Sequence, residues 1–189
     1  MGARLHFLGS GSARSRGALS EGGFLIVGDR SSILVDPGPG AASALAQLKV
    51  AEVDAVVVTH ESRGHDAKLV KVKKKPSTEF DVAKDEHVVR VRLPDCVVVY
   101  VFGAERRVEG ADVLIILDDF VKVLAHAKPK LAVLTGFENV DPSPVYRARE
   151  VQQYYGVQTI AAQDGLLVDV QAYDALASQK SLRGFTQEK

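Results

Sequence analysis

Cysteine occurs once in this chain, at Cys96, which excludes an intrachain disulfide and a zinc site built from thiolates. Methionine and asparagine are also used once each, at Met1 and Asn139, a faint signature of a thermophile. Net charge is missing as well. The 24 Lys and Arg balance the 24 Asp and Glu, so the chain as a whole has no field to draw it to nucleic acid or a lipid surface. The apolar run within Met1 to Gly9 is too short for a signal peptide or a membrane span, so the expectation is a cytoplasmic protein without a membrane partner.

What is present is the composition of an ordinary globular protein, 189 residues with 46% hydrophobic and 25% charged side chains. That length suits one domain with a substantial core. The expected division is a single domain over residues 1–173 and a polar tail over 174–189. Arg4 to Leu8 reads as a first strand, ending in Gly9-Ser10-Gly11-Ser12. Gly23 to Gly28 and Ser31 to Asp36 read as strands joined at Asp29-Arg30, a hairpin signal. Asp36-Pro37-Gly38-Pro39-Gly40 then breaks the strand before an alanine-rich helix over Ala41 to Leu48. Asp54 to Thr59 is a buried strand running into His60-Glu61-Ser62-Arg63-Gly64-His65-Asp66, which holds two of the five histidines.

From Lys68 to Val101 the alternation at Val70, Val72, Val82, Val89, Val91 and Leu93 predicts antiparallel strands with one wet face. Turns are expected at Pro76-Ser77 and at Lys84-Asp85-Glu86, and Cys96 to Phe102 is apolar enough for a central strand, with Cys96 in the core. A strand over Asp112 to Leu117, a helix over Asp118 to Ala127 and a strand over Leu131 to Leu134 follow. The clearest helix is capped by Asp141 or Ser143, carries Pro144 in its first turn and ends at Gly156. Val157 to Ala161 and Leu166 to Val170 are the last strands, with a hairpin turn expected at Asp164-Gly165. The tally predicts two sheets sandwiched between helices, an α/β or α+β layered architecture.

Taken in order, Leu8-Gly9-Ser10-Gly11, Val35-Asp36-Pro37-Gly38-Pro39-Gly40, Thr59-His60, Pro129 to Thr135 and Ala162-Gln163-Asp164-Gly165 form a specific set. That set resembles the metallo-β-lactamase superfamily, particularly its small ribonuclease-Z-like prokaryotic hydrolases. The resemblance covers roughly Leu5 to Val170 and implies an αβ/βα four-layer sandwich, two mixed sheets flanked by helices. It also implies a groove along one edge of the sheets holding one or two ions, usually zinc, that activate water.

Position by position, the implied ligand set is depleted. His60 matches the first histidine of the family's His-x-His-x-Asp-His motif and His65 the last, but Ser62 and Gly64 stand at the second histidine and the aspartate. Leu93-Pro94-Asp95 falls where a further histidine is expected, Phe102-Gly103-Ala104-Glu105 where a bridging aspartate is, and Gly136 where His normally follows Leu134-Thr135. In the family, the residues at His60 and His65 serve different ions, so neither ion keeps the three protein ligands a catalytic zinc needs.

The candidate metal ligands are therefore His60, His65, Asp66 and Asp164, with Glu105 as a further donor and Asp36 in support. Asp66 is the candidate catalytic group. Asp36 before Pro-Gly can equally be a turn-forming residue. A second set consists of cations. Lys71, Lys73, Lys74 and Lys75, in the run Lys68 to Lys75, and Arg14 and Arg16 after the glycine-rich loop could hold RNA or a phosphorylated ligand. The run also suits a solvated edge strand protected by lysine. The leading expectation is a hydrolase-like fold with most ligands lost, a pseudoenzyme that binds or assembles and needs no cofactor. The alternatives are a phosphodiesterase or nuclease with a single zinc at His60, His65 and Asp66, and an RNA-binding protein working through Lys68 to Lys75. A homo-oligomer is compatible with each.

Overall fold

The computed structural model describes residues 3–11, 23–59, 65, 67–104, 107–138 and 143–173. Among these, the strands are β1 (Arg4–Gly9), β2 (Gly23–Val27), β3 (Ser32–Val35), β4 (Ala55–Val57), β5 (Asp81–Lys84) and β6 (Val88–Leu93). They continue with β7 (Cys96–Val101), β8 (Val113–Leu117), β9 (Leu131–Thr135), β10 (Thr159–Ala161) and β11 (Leu167–Asp169). The helices are α1 (Ala41–Gln47) and α2 (Pro144–Tyr155).

The strands form two mixed sheets, in the orders β11-β1-β2-β3-β4 and β10-β9-β8-β7-β6-β5. Alternation of side chains explains why the strands read as continuous apolar runs: each sheet is covered on both faces. Phe24, Ile26, Ile33 and Val35 of the first sheet point into the central core, where they meet Val98, Tyr100, Val113, Ile115, Leu131 and Val133 of the second. Their neighbours Leu25 and Leu34 face the opposite way, packing with Leu45 of α1 and Val53. Val99, Val101, Leu114, Ile116, Ala132 and Leu134 likewise turn outward onto Ala148 and Val151 of α2 and onto Val121 and Leu124. The result is a four-layer sandwich of helix, sheet, sheet and helix.

Several local expectations change. The segment after β8 is a 3₁₀ helix, Asp118–Ala125, kinked at Phe120 (φ −110°, ψ 17°), not an α-helix. Val121 and Leu124, with Ala127 beyond, are buried at every third position, as a 3₁₀ turn allows, and Val123 is buried beside them. Val70 and Val72 form no strand. Val72 makes a single parallel bridge to Val53, and the chain before it is a short 3₁₀ turn, Ala67–Leu69. The Lys68 to Lys75 run is therefore not a lysine-protected edge strand. Asp164-Gly165 does turn the chain, with the Leu166 amide donating to the Gln163 carbonyl at 2.9 Å, but it joins no hairpin. β10 lies parallel beside β9 in one sheet and β11 antiparallel beside β1 in the other, so this turn passes the chain between sheets.

Candidate functional site

β3 and β4 run parallel, so their carboxyl ends emerge side by side and deliver Asp36 and Thr59 to the same place. Asp36 is 2% exposed. Its Oδ1 accepts from the Thr59 amide at 2.7 Å and its Oδ2 from the Thr59 hydroxyl at 2.5 Å. The Tyr100 hydroxyl, arriving from β7 in the opposite sheet, hydrogen-bonds to the same carboxylate. Burial first, and then the Asp36 charge, push the Tyr100 phenol well above its ordinary value, so it stays protonated. His65 completes the cluster, with Nδ1 3.8 Å from Asp36 Oδ1. Asp36 holds a left-handed backbone, φ 49°, which aspartate tolerates better than most residues and which these bonds hold in place.

A second group closes the neighbouring edge. Ser10, fully buried after β1, donates from both its amide and its hydroxyl to Asp164 Oδ1, each at 2.8 Å. Its carbonyl accepts from the Gly136 and Phe137 amides at 3.0 and 3.2 Å. Ser10 thus links the end of β1 to the end of β9 and to the turn before β11. Gly136 has φ 76°, and a Cβ built there would lie 2.4 Å from Leu117 Cδ2. Glycine suits this position: the left-handed backbone disfavours other residues, and a side chain there would have to displace the end of Leu117.

The third contribution comes from the β5–β6 turn. Lys84 Nζ donates to the Val58 carbonyl at 2.7 Å, bridging the edge of the second sheet to the end of β4. His87, half-exposed, lies over Gly103, where an added Cβ would fall 2.3 Å from the ring Nδ1. The Phe102 amide donates to the His87 carbonyl at 3.0 Å, fixing this turn against the end of β7. Lys84 was read in sequence only as part of a turn, and His87 was not singled out. Tyr100 had a usable signal, the one hydroxyl in the apolar run Cys96 to Phe102, since a buried phenol needs a partner.

Leu93-Pro94-Asp95, matched in sequence to a further ligand position, is the turn between β6 and β7. It lies at the opposite end of the sheet from Tyr100, because β6 and β7 are antiparallel and Leu93 pairs with Cys96. Among the other predicted ligands, His65 is placed beside Asp36 and Asp164 beside Ser10. His60, Asp66, Glu105, Arg14 and Arg16 lie outside the described residues. Among the described residues, no three His, Cys, Asp or Glu side chains are grouped so as to hold a metal ion.

The lysine run divides. Lys73 Nζ donates to Asp54 Oδ2 at 2.8 Å, while Lys74 and Lys75 lie exposed in a bend. Asp54, at the start of β4, also accepts from the Ser32 amide and hydroxyl at 2.8 and 3.0 Å and from the Ser77 amide at 2.7 Å. Burial by itself raises the Asp54 carboxyl, but the bonds from Lys73, Ser77 and Ser32 outweigh it and hold the group below the usual carboxylate range. Lys71 and Lys73 line a separate cleft at this end of the first sheet.

A model of the metallo-β-lactamase superfamily matches residues 23–61, from β2 to just past the end of β4. Solved structures extend the match. The metallo-β-lactamase fold protein YhfI from Bacillus subtilis is 16% identical over 89% of this chain and 99% of its own, with a TM-score of 0.65. The chain has the metallo-β-lactamase fold. Zn²⁺-bound PqqB from Methylobacterium extorquens is 13% identical over 88% of this chain and 99% of its own, with a TM-score of 0.62. A diphosphatase of the PhnP family is also 13% identical, over 88% and 97%, with a TM-score of 0.56. No curated protein matches the sequence. Within this metallo-β-lactamase fold, the Asp36, Ser10 and Lys84 groups all stand at the carboxyl ends of the strands.

Proposed function

We propose that this chain is a diverged metallo-β-lactamase-fold protein that keeps the hydrolase-like scaffold and acts without catalysis, as a binding or assembly module. The observation that carries this reading is Gly136. At the position where the resemblance leads one to expect histidine, the backbone has φ 76° and Leu117 fills the side-chain space. A side chain there needs a strained backbone and a displaced Leu117, so the position is poorly suited to a ligand.

The remaining residues fit a two-zinc centre poorly. Ser62 and Gly64 stand at two ligand positions of the His60 loop. Both Asp36 oxygens accept from Thr59, and Asp164 Oδ1 accepts twice from Ser10, so these carboxylates serve the fold. The Lys84 ammonium, held at the Val58 carbonyl, brings a fixed positive charge to the end of β4, which disfavours a cation nearby.

Metal analysis and turnover of the purified protein test this. After growth with zinc or manganese, the expected result is well under one equivalent of metal and no hydrolysis of bis(4-nitrophenyl) phosphate. One bound equivalent lost on replacing His60 and His65 by Ala, together with turnover abolished by a chelator, would establish the single-metal phosphodiesterase instead.

A further inference from the structure

We infer that the cleft at the amino-terminal ends of β3 and β4 binds a phosphomonoester of sugar or nucleoside size. This cleft lies at the other end of the first sheet from Asp36 and is independent of whether the chain is catalytic. It is an open cleft of about 580 Å³, with room for a small ligand. Four cations, Arg30, Lys49, Lys71 and Lys73, line it against two carboxylates, Asp29 and Glu52.

The cations differ in how they are held. Lys73 is neutralised by buried Asp54 at 2.8 Å, and Arg30 lies 3.5 Å from Glu79. Among the described residues, Lys49 and Lys71 have no carboxylate within ion-pair distance, so their charges face the cleft uncompensated. A dianionic phosphate supplies the missing counter-charge, and the two carboxylates offer acceptors for the hydroxyls of the same ligand.

Two further observations point to a ligand. Ser31, 4% exposed, lines the cleft, and its Oγ has no hydrogen-bond partner among the described residues. A buried hydroxyl without a partner destabilises the fold, and turning this side chain toward the cleft lets a phosphate oxygen satisfy it. Beside it stands Gly28, where a Cβ would lie 2.6 Å from that Oγ. Lys49, for its part, occupies a left-handed position, φ 58°, just past α1, with its amide bonded to Ala46 and the next amide to Leu45. Glycine is the ordinary residue for such a helix end. Lysine there carries a conformational cost and places a charge at the cleft.

The test is calorimetric titration of the whole protein at low salt with inorganic phosphate, ribose 5-phosphate and adenosine monophosphate. Lys49→Gly relieves backbone strain and Lys71→Gln touches an exposed side chain, so both variants fold as the parent does. Expected is saturable binding of at least one phosphomonoester, weakened by salt, and about tenfold weaker in each variant. Ser31→Ala weakens it less. Absence of binding at millimolar ligand, or binding unchanged in both lysine variants, overturns the proposal. So does binding of an oligoribonucleotide without any binding of the small phosphates, which would make this face an RNA surface.

Discussion

The Tyr100 hydroxyl, carried by one sheet, hydrogen-bonds to the Asp36 carboxylate carried by the other, and Asp36 in turn holds Thr59 at the end of β4. Tyr100 also sits edge-on to Phe24 at 5.2 Å and near Phe102 at 5.6 Å, so its ring is fixed by packing and its hydroxyl by charge. Tyr100→Phe keeps the ring and removes only the bond to the carboxylate. It is expected to lower unfolding free energy by about 1.5–3 kcal/mol in urea titration, the usual scale for a hydrogen bond to a charged group. No change would mean that Asp36 is satisfied without Tyr100.

Asp36→Ala removes more, since Thr59 loses the partner of both its amide and its hydroxyl, and alanine must adopt φ 49°. The expected loss is about 3–5 kcal/mol, enough to make the protein unstable at physiological temperature. Metal analysis of the same variant separates a structural role from a ligand role. If Asp36 is structural, metal content stays unchanged in whatever fraction remains folded.

Gly136→His restores the side chain that the resemblance leads one to expect after Leu134-Thr135. It has no space. The substitution places a Cβ against Leu117 Cδ2 and an L-residue at φ 76°, so a loss of about 3 kcal/mol is expected by thermal or chemical denaturation, without any gain of zinc. Pairing it with Leu117→Ala recovers part of the stability, because the overlap is with that side chain. A stable single variant that binds zinc stoichiometrically would show that the old site persists.

These positions show how far the sequence could be read. The sheets were legible because alternate residues of Gly23 to Val35 and Cys96 to Leu134 pack into two different cores, and burial on both faces leaves an unmistakable apolar run. Asp36 and Thr59 were within reach for the same reason, as polar residues ending parallel strands. The partners that cross between sheets were not. Tyr100, Lys84 and Ser10 meet Asp36, Val58 and Asp164 only through tertiary registration, and no local pattern encodes which strand ends face one another. The same blindness placed Leu93-Pro94 at the wrong end of its sheet, because strand direction follows from topology. It also made a hairpin of Asp164-Gly165, where local turn chemistry is right and the destination of the next strand decides the rest.

Asp164 offers a test that separates its two readings. Ser10 is fully buried, so Asp164→Ala strips its amide and hydroxyl of their acceptor and is expected to cost about 2–3 kcal/mol. Asp164→Asn keeps a carbonyl oxygen for the same two donors and should recover most of that loss in a denaturant titration. A metal ligand behaves differently: the amide would not restore what the carboxylate supplied. Equal damage from both variants, with loss of bound metal, would assign Asp164 to an ion.

Asp54 gives the pH-dependent prediction. Burial raises its carboxyl, yet the bonds from Lys73, Ser77 and Ser32 prevail and lower it, so the folded state binds the proton less readily than the unfolded chain. The stabilisation is therefore complete above the unfolded value of about 4 and disappears as pH falls through the lower folded value. Asp54→Asn removes the titration while keeping the shape. It is expected to be less stable than the parent by about 2–3 kcal/mol at pH 7, with the gap narrowing below about pH 4. Urea titrations of both proteins from pH 7 to pH 3 measure that gap directly. If burial were the stronger effect, the sign would reverse and the parent would gain on the variant as acid is added. A gap that stays constant with pH would mean that Lys73 and Ser77 hold the 71–77 segment in place without help from the charge.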